Sequence, residues 1–282
     1  MNRRNFMGAG LAMVLLGCRP APGMAAAPFR PTRFTALVKG SGPDVILIPG
    51  LTASRDIWNG TIAALPGYRY HLLQVNGFAG TPAAGNSEGA VLVPLAAEIA
   101  AYIAANGLAR PALVGHSMGG TLAMMVAARH PLRVGKVVVV DMLPQPAGLI
   151  GSSSSNVRGL AESLRGITAT PGGRELVASL MGMFGNPATA KTRSDPDLVA
   201  RATHDLALTD LTSELPKIQA PLTVVYAVPD AESRARIEAS YKSGYAPAKA
   251  ARLVRIDGSG HMIMYDQPAK FQAALKAALD RA

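Results

Sequence analysis

Ser117 is the residue of this chain whose surroundings most directly suggest chemistry. It lies at the centre of "GHSMG", a G-x-S-x-G pentapeptide between an apolar run and an Ala- and Met-rich segment. In a sharp turn from strand to helix, the flanking glycines let the two elements approach, and the serine stays exposed at the strand end. The amide of Met118 then begins the helix, where developing negative charge is favoured. The pattern predicts a nucleophile at Ser117 and an oxyanion-hole donor at Met118, against the alternative of an ordinary turn serine.

The base that such a serine needs is sought among the histidines. A serine hydroxyl attacks poorly without a general base, and the base needs an acid to orient it. Of the five histidines, only His261 follows the last predicted strand, on the Gly-rich loop "DGSGH". We therefore predict His261 as the base. The other four are interpreted as structural residues: His71, His116, His130 and His204.

Two aspartates at strand ends compete for the role of the acid. Asp230 follows the apolar stretch "LTVVYAVP", and Asp141 ends the run "VVVVD". We prefer Asp230, because its strand immediately precedes the strand that leads to His261. Asp141 is the alternative acid, since a carboxylate at that strand end could reach the same histidine.

The elements that must position these residues alternate in type. Short apolar runs bounded by turn residues predict buried strands, and segments with helical periodicity lie between them. Strands separated by helices indicate an α/β fold with a doubly wound, mostly parallel sheet. The predicted strands cover residues 45–48, 70–75, 112–114, 137–141, 222–226 and 252–256, and the predicted helices cover 55–64, 88–106, 118–129, 231–242 and 268–279.

Residues 144–214 interrupt this alternation. They contain no convincing strand and open on the loop-like stretch "PQPAGLIGSSSSN". Long insertions in compact domains tend to be functional. We therefore predict a helical cap at 144–214, inserted into a core that residues 28–143 and 215–282 form. Helix-like segments within the predicted cap lie near 157–166, 173–184 and 196–207.

Apolar side chains are frequent in the cap and in the predicted site loops. The cap is rich in Leu, Ala and Met. One interpretation is a deformable apolar pocket, because methionine packs adaptably. The other interpretation is plain core packing. Four methionines lie close in sequence to the predicted site loops: Met118, Met142, Met262 and Met264.

The first 27 residues have the pattern of an export signal. Arg3 and Arg4 precede an uncharged stretch of about a dozen residues, which is too short for a membrane span of about 20 residues. Asn2–Met7 resembles the twin-arginine (Tat) signal, and an ordinary Sec signal is the alternative. Cleavage near Ala25–Ala27 would leave a periplasmic or secreted protein, whereas "LLGC" resembles a lipobox that would anchor the chain through a lipid on Cys18.

The composition argues against several classes of partner and cofactor. The formal net charge is +10, yet the basic residues are scattered, without a dense run or an aromatic-interleaved basic motif. A solvated basic surface is therefore favoured over a nucleic-acid site. Cys18 is the only cysteine, which leaves the mature domain without an internal disulfide. The histidines lack paired metal-ligand spacing, and we expect no metal and no cofactor.

Four stretches together resemble the α/β-hydrolase fold family, over about residues 43–278: "VILIPGLTASRDIW", "VNGFAGTP", "LVGHSMGG" and "DGSGHMIMYDQP". In that family the first stretch holds a loop whose amide completes the oxyanion hole, which implies Leu51 as the second donor. Pro49 stands where many members have histidine. Asn76 and Thr81 replace the acid and the serine that are usual in the second stretch.

The resemblance implies a serine hydrolase. The order Ser117, Asp230, His261 matches the nucleophile, acid and base order of the family. The implied mechanism is attack of the serine on an acyl carbon, followed by hydrolysis of the acyl-enzyme. We expect a small-molecule substrate, a carboxylic ester of small to medium size and apolar character. The alternatives are amide or peptide hydrolysis, C–C bond hydrolysis, cofactor-free perhydrolysis, and ligand sensing with little turnover.

Overall fold

A seven-stranded sheet forms the centre of the protein. The computed structural model describes residues 29–146, 170, 172 and 194–281. The strands are β1 Phe34–Lys39, β2 Asp44–Ile48, β3 Arg69–Val75, β4 Ala112–His116, β5 Lys136–Val140, β6 Leu222–Val228 and β7 Arg252–Asp257. They lie in the order β1-β3-β2-β4-β5-β6-β7. Strand β1 pairs antiparallel with β3, and all the other pairs are parallel.

Helices connect the strands. They are α1 Asn59–Ala64, α2 Leu92–Ala105, α3 Met118–Arg129, α4 Pro196–Leu208, α5 Arg234–Gly244, α6 Ile263–Asp266 and α7 Pro268–Leu279. A 3-10 turn at Arg55–Trp58 precedes α1. None of the helices in the described part of the chain has the length and apolar character needed to cross a membrane.

The helices cover both faces of the sheet, because successive residues of a strand point to opposite sides. Ile46 and Val139 belong to a buried cluster with α2, α3 and α5, whereas Leu47 and Val138 belong to a second cluster with Trp58 and α7. Burial on both faces explains why the central strands are near-continuous apolar runs. The predicted doubly wound, mostly parallel sheet is confirmed.

Strand β1 and helix α2 are two of the elements that differ from the sequence-based prediction. The predicted strands do not include β1, since most of its side chains are exposed and it lacks the apolar run of a buried strand. Helix α2 begins at Leu92 instead of residue 88. The carboxylate of Asp205 accepts hydrogen bonds from the amides of Val91 (2.7 Å) and Leu92 (3.2 Å). A side chain that is distant in sequence therefore fixes where this helix starts.

The described part of the predicted cap is α4 with its flanking residues. The helical segments predicted at 157–166 and 173–184 lie outside the described residues. The amide of Asp195 donates to the carbonyl of Gly77 (2.8 Å), and the guanidinium of Arg201 donates to carbonyls of the loop before α2. Where the insertion returns to the core, it is therefore hydrogen-bonded to the segment between β3 and α2.

Candidate active site

Ser117 occupies the tight turn between β4 and α3. Its backbone has φ 54° and ψ −123°, a conformation that residues with a side chain rarely adopt. The amide of Ser117 donates to the carbonyl of Val140 (2.9 Å), and its carbonyl accepts from the amide of Gly120 (2.7 Å). These bonds hold the half-buried serine at the C-terminal end of β4.

The two flanking glycines are required for this turn. A Cβ on Gly115 would lie 2.0 Å from the carbonyl oxygen of Gly119. A Cβ on Gly119 would lie 2.2 Å from the carbonyl oxygen of Ile48. A side chain at either position would therefore push α3 away from the sheet. The close approach of strand and helix that the pentapeptide predicts is present.

We expect Gly119→Ala to lower the free energy of unfolding by about 2 kcal/mol or more, because the methyl group has no room and the backbone must move. Gly60→Ala is the matched control. Gly60 lies in α1 with no atom within 4 Å of the added Cβ. Alanine there should be neutral or stabilise the helix by up to about 1 kcal/mol. Urea unfolding measures both changes, and equal stability of Gly119→Ala and the wild type would contradict the close packing.

The loop after β2, which contains Leu51, contacts the turn that holds Ser117. A Cβ on Gly50 would lie 3.1 Å from Cβ of Ser117, so the backbone of this loop packs directly on the turn that holds Ser117. Thr52 has φ 61°, which turns the loop. Within the described part of the chain, the amides of Leu51 and Met118 donate no hydrogen bond. Both N–H groups therefore remain free to bind an acceptor.

His261 lies on the loop between β7 and α6, against the residue that precedes Ser117. The ring centroids of His261 and His116 are 4.6 Å apart. Nε2 of His116 lies 2.9 Å from the carbonyl oxygen of His261. The amide of Gly260 donates to the carboxylate of Asp266 (2.9 Å), which holds the loop on α6. The predicted base is thus placed next to the turn that holds Ser117.

Asp141 provides the carboxylate that meets His261. Its Oδ2 lies 2.7 Å from Nδ1 of His261, and its Oδ1 accepts hydrogen bonds from the amide of Ala227 (2.9 Å) and the hydroxyl of Tyr241 (3.0 Å). Asp141 is buried and directly follows β5. A carboxylate at Nδ1 fixes the ring proton on that nitrogen and leaves the lone pair of Nε2 free to accept a proton.

Asp230, the acid preferred from the sequence, is placed elsewhere, and the structure corrects that preference. Its exposed carboxylate accepts a hydrogen bond from the amide of Ser233 (2.7 Å), in the turn that leads into α5. Hydrogen bonds from Ser233 hold the pKa of Asp230 below its usual range. Asp230 therefore stabilises a surface turn, and the carboxylate bonded to His261 is the alternative acid, Asp141.

His116 is buried and neutral beside this pair. Burial, together with the neighbouring His261, lowers the pKa of His116 to about 3. With Nε2 protonated, the ring donates to the carbonyl of His261, and Nδ1 is buried without a hydrogen-bond partner in the described part of the chain. His116 thus supports the loop that holds His261 and adds no positive charge next to it, in line with its predicted structural role.

We expect the free energy of unfolding to fall as the pH drops below about 6.5, because the unfolded chain protonates His116 and the folded chain does not. The folded pKa, about 3, is depressed below 6.5. The contribution of His116 is therefore complete above the unfolded pKa, and up to about 3 kcal/mol is lost by pH 4. Urea unfolding at about pH 7 and about pH 4 measures this loss. His116→Gln keeps a donor but does not titrate, so the loss should be smaller, and an unchanged pH dependence would refute the assignment.

Most of the methionines near the site pack in the core. Met118, Met142 and Met264 are 0%, 3% and 6% exposed, and Met262 is half-buried. For the first three, core packing is the interpretation that the structure supports. Among the residues that the structure describes, no three His, Cys, Asp or Glu side chains are grouped as metal ligands would be.

Comparison with known proteins bears on the fold and on the region of the site. The family model for the alpha/beta hydrolase fold matches residues 43–268. The chain belongs to the α/β-hydrolase fold family. The matched range contains Ser117, Asp141 and His261, and it also contains the loop with Leu51.

Relatives of this α/β-hydrolase include an esterase and a deformylase. A pimeloyl-[acyl-carrier protein] methyl ester esterase of Aeromonas hydrophila is 36% identical over 106 residues, which cover 37% of this chain and 40% of that enzyme. An N-formylmaleamate deformylase of Pseudomonas putida is 27% identical over 248 residues, which cover 86% of this chain and 90% of that enzyme. The similarity thus spans less than half of the first relative and most of the second.

Solved structures share the fold at lower sequence identity. A thermophilic esterase from Thermogutta terrifontis matches with a TM-score of 0.67 and 22% identity, covering 87% of this chain and 92% of that chain. An enol-lactonase from Burkholderia xenovorans matches with a TM-score of 0.65 and 18% identity, covering 89% and 97%. At these identities the similarity concerns the fold alone.

Proposed function

We propose that this α/β-hydrolase is a serine hydrolase that cleaves a carboxylic ester of a small to medium, apolar substrate through an acyl-enzyme. Ser117 is the nucleophile, His261 the general base and Asp141 the acid. The observation that carries the proposal is the 2.7 Å hydrogen bond between His261 and Asp141. His261 lies on a loop that packs beside the strained turn of Ser117.

The proton of the serine hydroxyl passes to His261 as the oxygen attacks the acyl carbon. With Asp141 at Nδ1, it is Nε2 of the imidazole that takes this proton and later donates it to the leaving alkoxide. Asp141 stays ionised and stabilises the imidazolium. Water, deprotonated by the same nitrogen, then attacks the acyl-enzyme and releases the carboxylic acid.

The negative charge that develops on the carbonyl oxygen needs donors that are already in position. The amides of Leu51 and Met118 are two such donors, since neither is used elsewhere in the described part of the chain. Met118 also begins α3, so the partial positive charge of a helix N-terminus adds to its effect. Losing one donor of this kind costs roughly a hundred- to thousandfold in kcat.

The proposal for an ester substrate is supported by the relatives' names, which include a methyl ester esterase and, at the level of fold, an esterase and an enol-lactonase. The test is a panel of p-nitrophenyl esters of increasing acyl length, run in parallel with fluorophosphonate labelling of Ser117. We expect labelling and turnover of short and medium acyl chains. Absence of both would reject the serine-hydrolase proposal and favour ligand sensing.

Amide hydrolysis by the same residues is the second candidate. It is supported by the similarity to the N-formylmaleamate deformylase, which extends over more of both chains than the similarity to the Aeromonas esterase. A panel of formamides and acetamides matched in size to the esters separates the two proposals. Faster turnover of an amide than of its matched ester would replace the ester proposal.

We further propose that the chain is exported by the Tat route. Changing Arg3 and Arg4 together to lysine should retain the full-length precursor in the cytoplasm, because the charge is kept and only the arginine pair is lost. Cell fractionation with activity assays measures the distribution. Cys18→Ala keeps the arginines and removes the residue to which a lipid would be attached. Release of this variant from the membrane fraction would indicate a lipid anchor, whereas an unchanged distribution would indicate a soluble product. Undiminished export of the lysine variant would contradict the Tat route.

A further inference from the structure

The two oxygens of Asp141 have different partners. Oδ2 faces His261, whereas Oδ1 is held by the amide of Ala227 (2.9 Å) and the hydroxyl of Tyr241 (3.0 Å). The amide belongs to β6, the strand next to Asp141, and the hydroxyl comes from α5. The orientation of the carboxylate is therefore determined by two separate elements of the fold.

The side chain of Tyr241 is itself firmly placed. It is 2% exposed, and its ring stacks on Tyr226 at 4.4 Å between centroids and an interplanar angle of 19°. On the other side it lies parallel to Tyr245, at 6.3 Å. Burial and the adjacent Asp141 raise the pKa of Tyr241 well above 10, so its hydroxyl remains a donor at every pH of interest.

We propose that Tyr241 is a positioning residue for the acid–base pair, and that its hydroxyl sets the orientation and the proton affinity of the Asp141–His261 unit. This inference rests on the proposed function. Tyr241 does not contact the base, since it bonds Oδ1 and His261 bonds Oδ2. Its effect is transmitted through the carboxylate, which it keeps turned with Oδ2 toward the imidazole.

The sign of the expected effect follows from the charge of the pair. A donor on Oδ1 stabilises the anionic carboxylate and so lowers the affinity of the pair for a proton. Removing the hydroxyl makes the first protonation of the pair easier, wherever in the pair the proton settles. In the described part of the chain, the titratable groups around this carboxylate are His261, His116, Tyr241 and Tyr245.

The test compares Tyr241→Phe with Tyr245→Phe. Both changes remove one buried hydroxyl from the same stack, at Tyr241 in α5 and at Tyr245, directly after its end. The hydroxyl of Tyr245, however, donates to the carbonyl of Met142 (2.7 Å) and not to Asp141. We expect Tyr241→Phe to lower kcat/KM roughly tenfold at its optimum. We also expect the acid limb of its pH profile to move up by roughly half a pH unit to one unit. Tyr245→Phe should leave the position of the acid limb unchanged.

A second readout does not depend on turnover. The low-field proton resonance of the Asp141–His261 hydrogen bond is identified by its loss in Asp141→Asn. It is titrated by NMR in the wild type, in Tyr241→Phe and in Tyr245→Phe. A higher midpoint in Tyr241→Phe alone supports the inference. A midpoint equal to that of the wild type overturns it, even where ester turnover confirms the proposed function. Failure of every ester in the panel, with the NMR shift present, would instead reject the proposed function and leave the positioning role standing.

A variant that retains both the ring and the hydroxyl tests whether the effect of Tyr241→Phe arises from a folding defect. Replacing Tyr241 by tyrosine with fluorine ortho to the hydroxyl makes that hydroxyl a stronger donor. The midpoint should then move to lower pH, in the direction opposite to that of phenylalanine. Movement of both midpoints in the same direction would show that packing, and not the hydrogen bond to Asp141, determines the titration.

Discussion

Replacing Ser117 by alanine is expected to reduce ester hydrolysis by at least about a thousandfold, because the attacking oxygen is removed and only the oxyanion donors and substrate binding remain. The folded structure should persist. Alanine has the same Cβ as serine and fits the same backbone, whose φ is 54° and ψ −123°. Initial rates with p-nitrophenyl acetate and thermal unfolding of the same samples measure the two effects.

A matched control for this change is Ser240→Ala. The hydroxyl of Ser240 bonds the carbonyl of Arg236 within α5 (3.0 Å). Its removal should leave both kcat and fluorophosphonate labelling at the level of the wild type. If Ser117→Ala hydrolysed the ester as fast as Ser240→Ala does, the assignment of the nucleophile would be refuted.

Asparagine at position 141 is expected to lower kcat by roughly three to four orders of magnitude, because an amide can donate to Nδ1 of His261 and so hold the imidazole in the wrong tautomer. The buried site should keep its shape, since Asn and Asp are nearly isosteric. The matched change, Asp230→Asn, alters a carboxylate that accepts hydrogen bonds within a surface turn, from the amide of Ser233 among others. It should alter kcat by less than about twofold.

Steady-state kinetics of the two asparagine variants decide between the carboxylates. Circular dichroism and thermal unfolding establish that both are folded. A larger loss of kcat in Asp230→Asn than in Asp141→Asn would restore the order inferred from the sequence and contradict the pairing seen in the structure. Equal and small losses would show that His261 needs neither carboxylate.

Much of the fold could be predicted from local pattern. The run that forms β5 is buried on both faces, and such a strand is apolar at every position, so its pattern alone reveals it. Strand β1 could not be recognised in this way. It is an edge strand with mostly exposed side chains, and its place is fixed by antiparallel pairing with β3, a partner distant in sequence.

The candidate site likewise contains residues that a local sequence pattern reveals and residues that it does not. Ser117 is marked by its own pentapeptide, and His261 by a Gly-rich loop after the last strand. No local pattern distinguishes Asp141 from Asp230, because β5 and β6 are neighbours in the sheet and a carboxylate after either strand could reach the histidine that follows β7. A local signal was present: Ser233 stands three residues after Asp230, the spacing of a carboxylate that caps a turn or helix start.

No local sequence pattern marks Tyr241 as a residue of the candidate site. It and Asp141 are separated by 100 positions in the chain, and its hydroxyl reaches the carboxylate only because α5 packs beside the end of β5. A buried tyrosine on a helix is usual in a protein core. Only the three-dimensional arrangement shows that the hydroxyl of Tyr241 bonds the carboxylate of Asp141.

The position of Asp141 directly after β5 determines how the turn after β6 can be altered. The turn from 229 to 233 after β6 is exposed, and within the described part of the chain the hydrogen bonds of the Asp230 carboxylate lie inside that turn. Its side chains can therefore be substituted without removing a hydrogen bond from Asp141, but its length is constrained, because it joins β6, which contributes the amide of Ala227, to α5, which contributes the hydroxyl of Tyr241. A designer who wishes to alter this surface would therefore change the identity of its residues and keep their number.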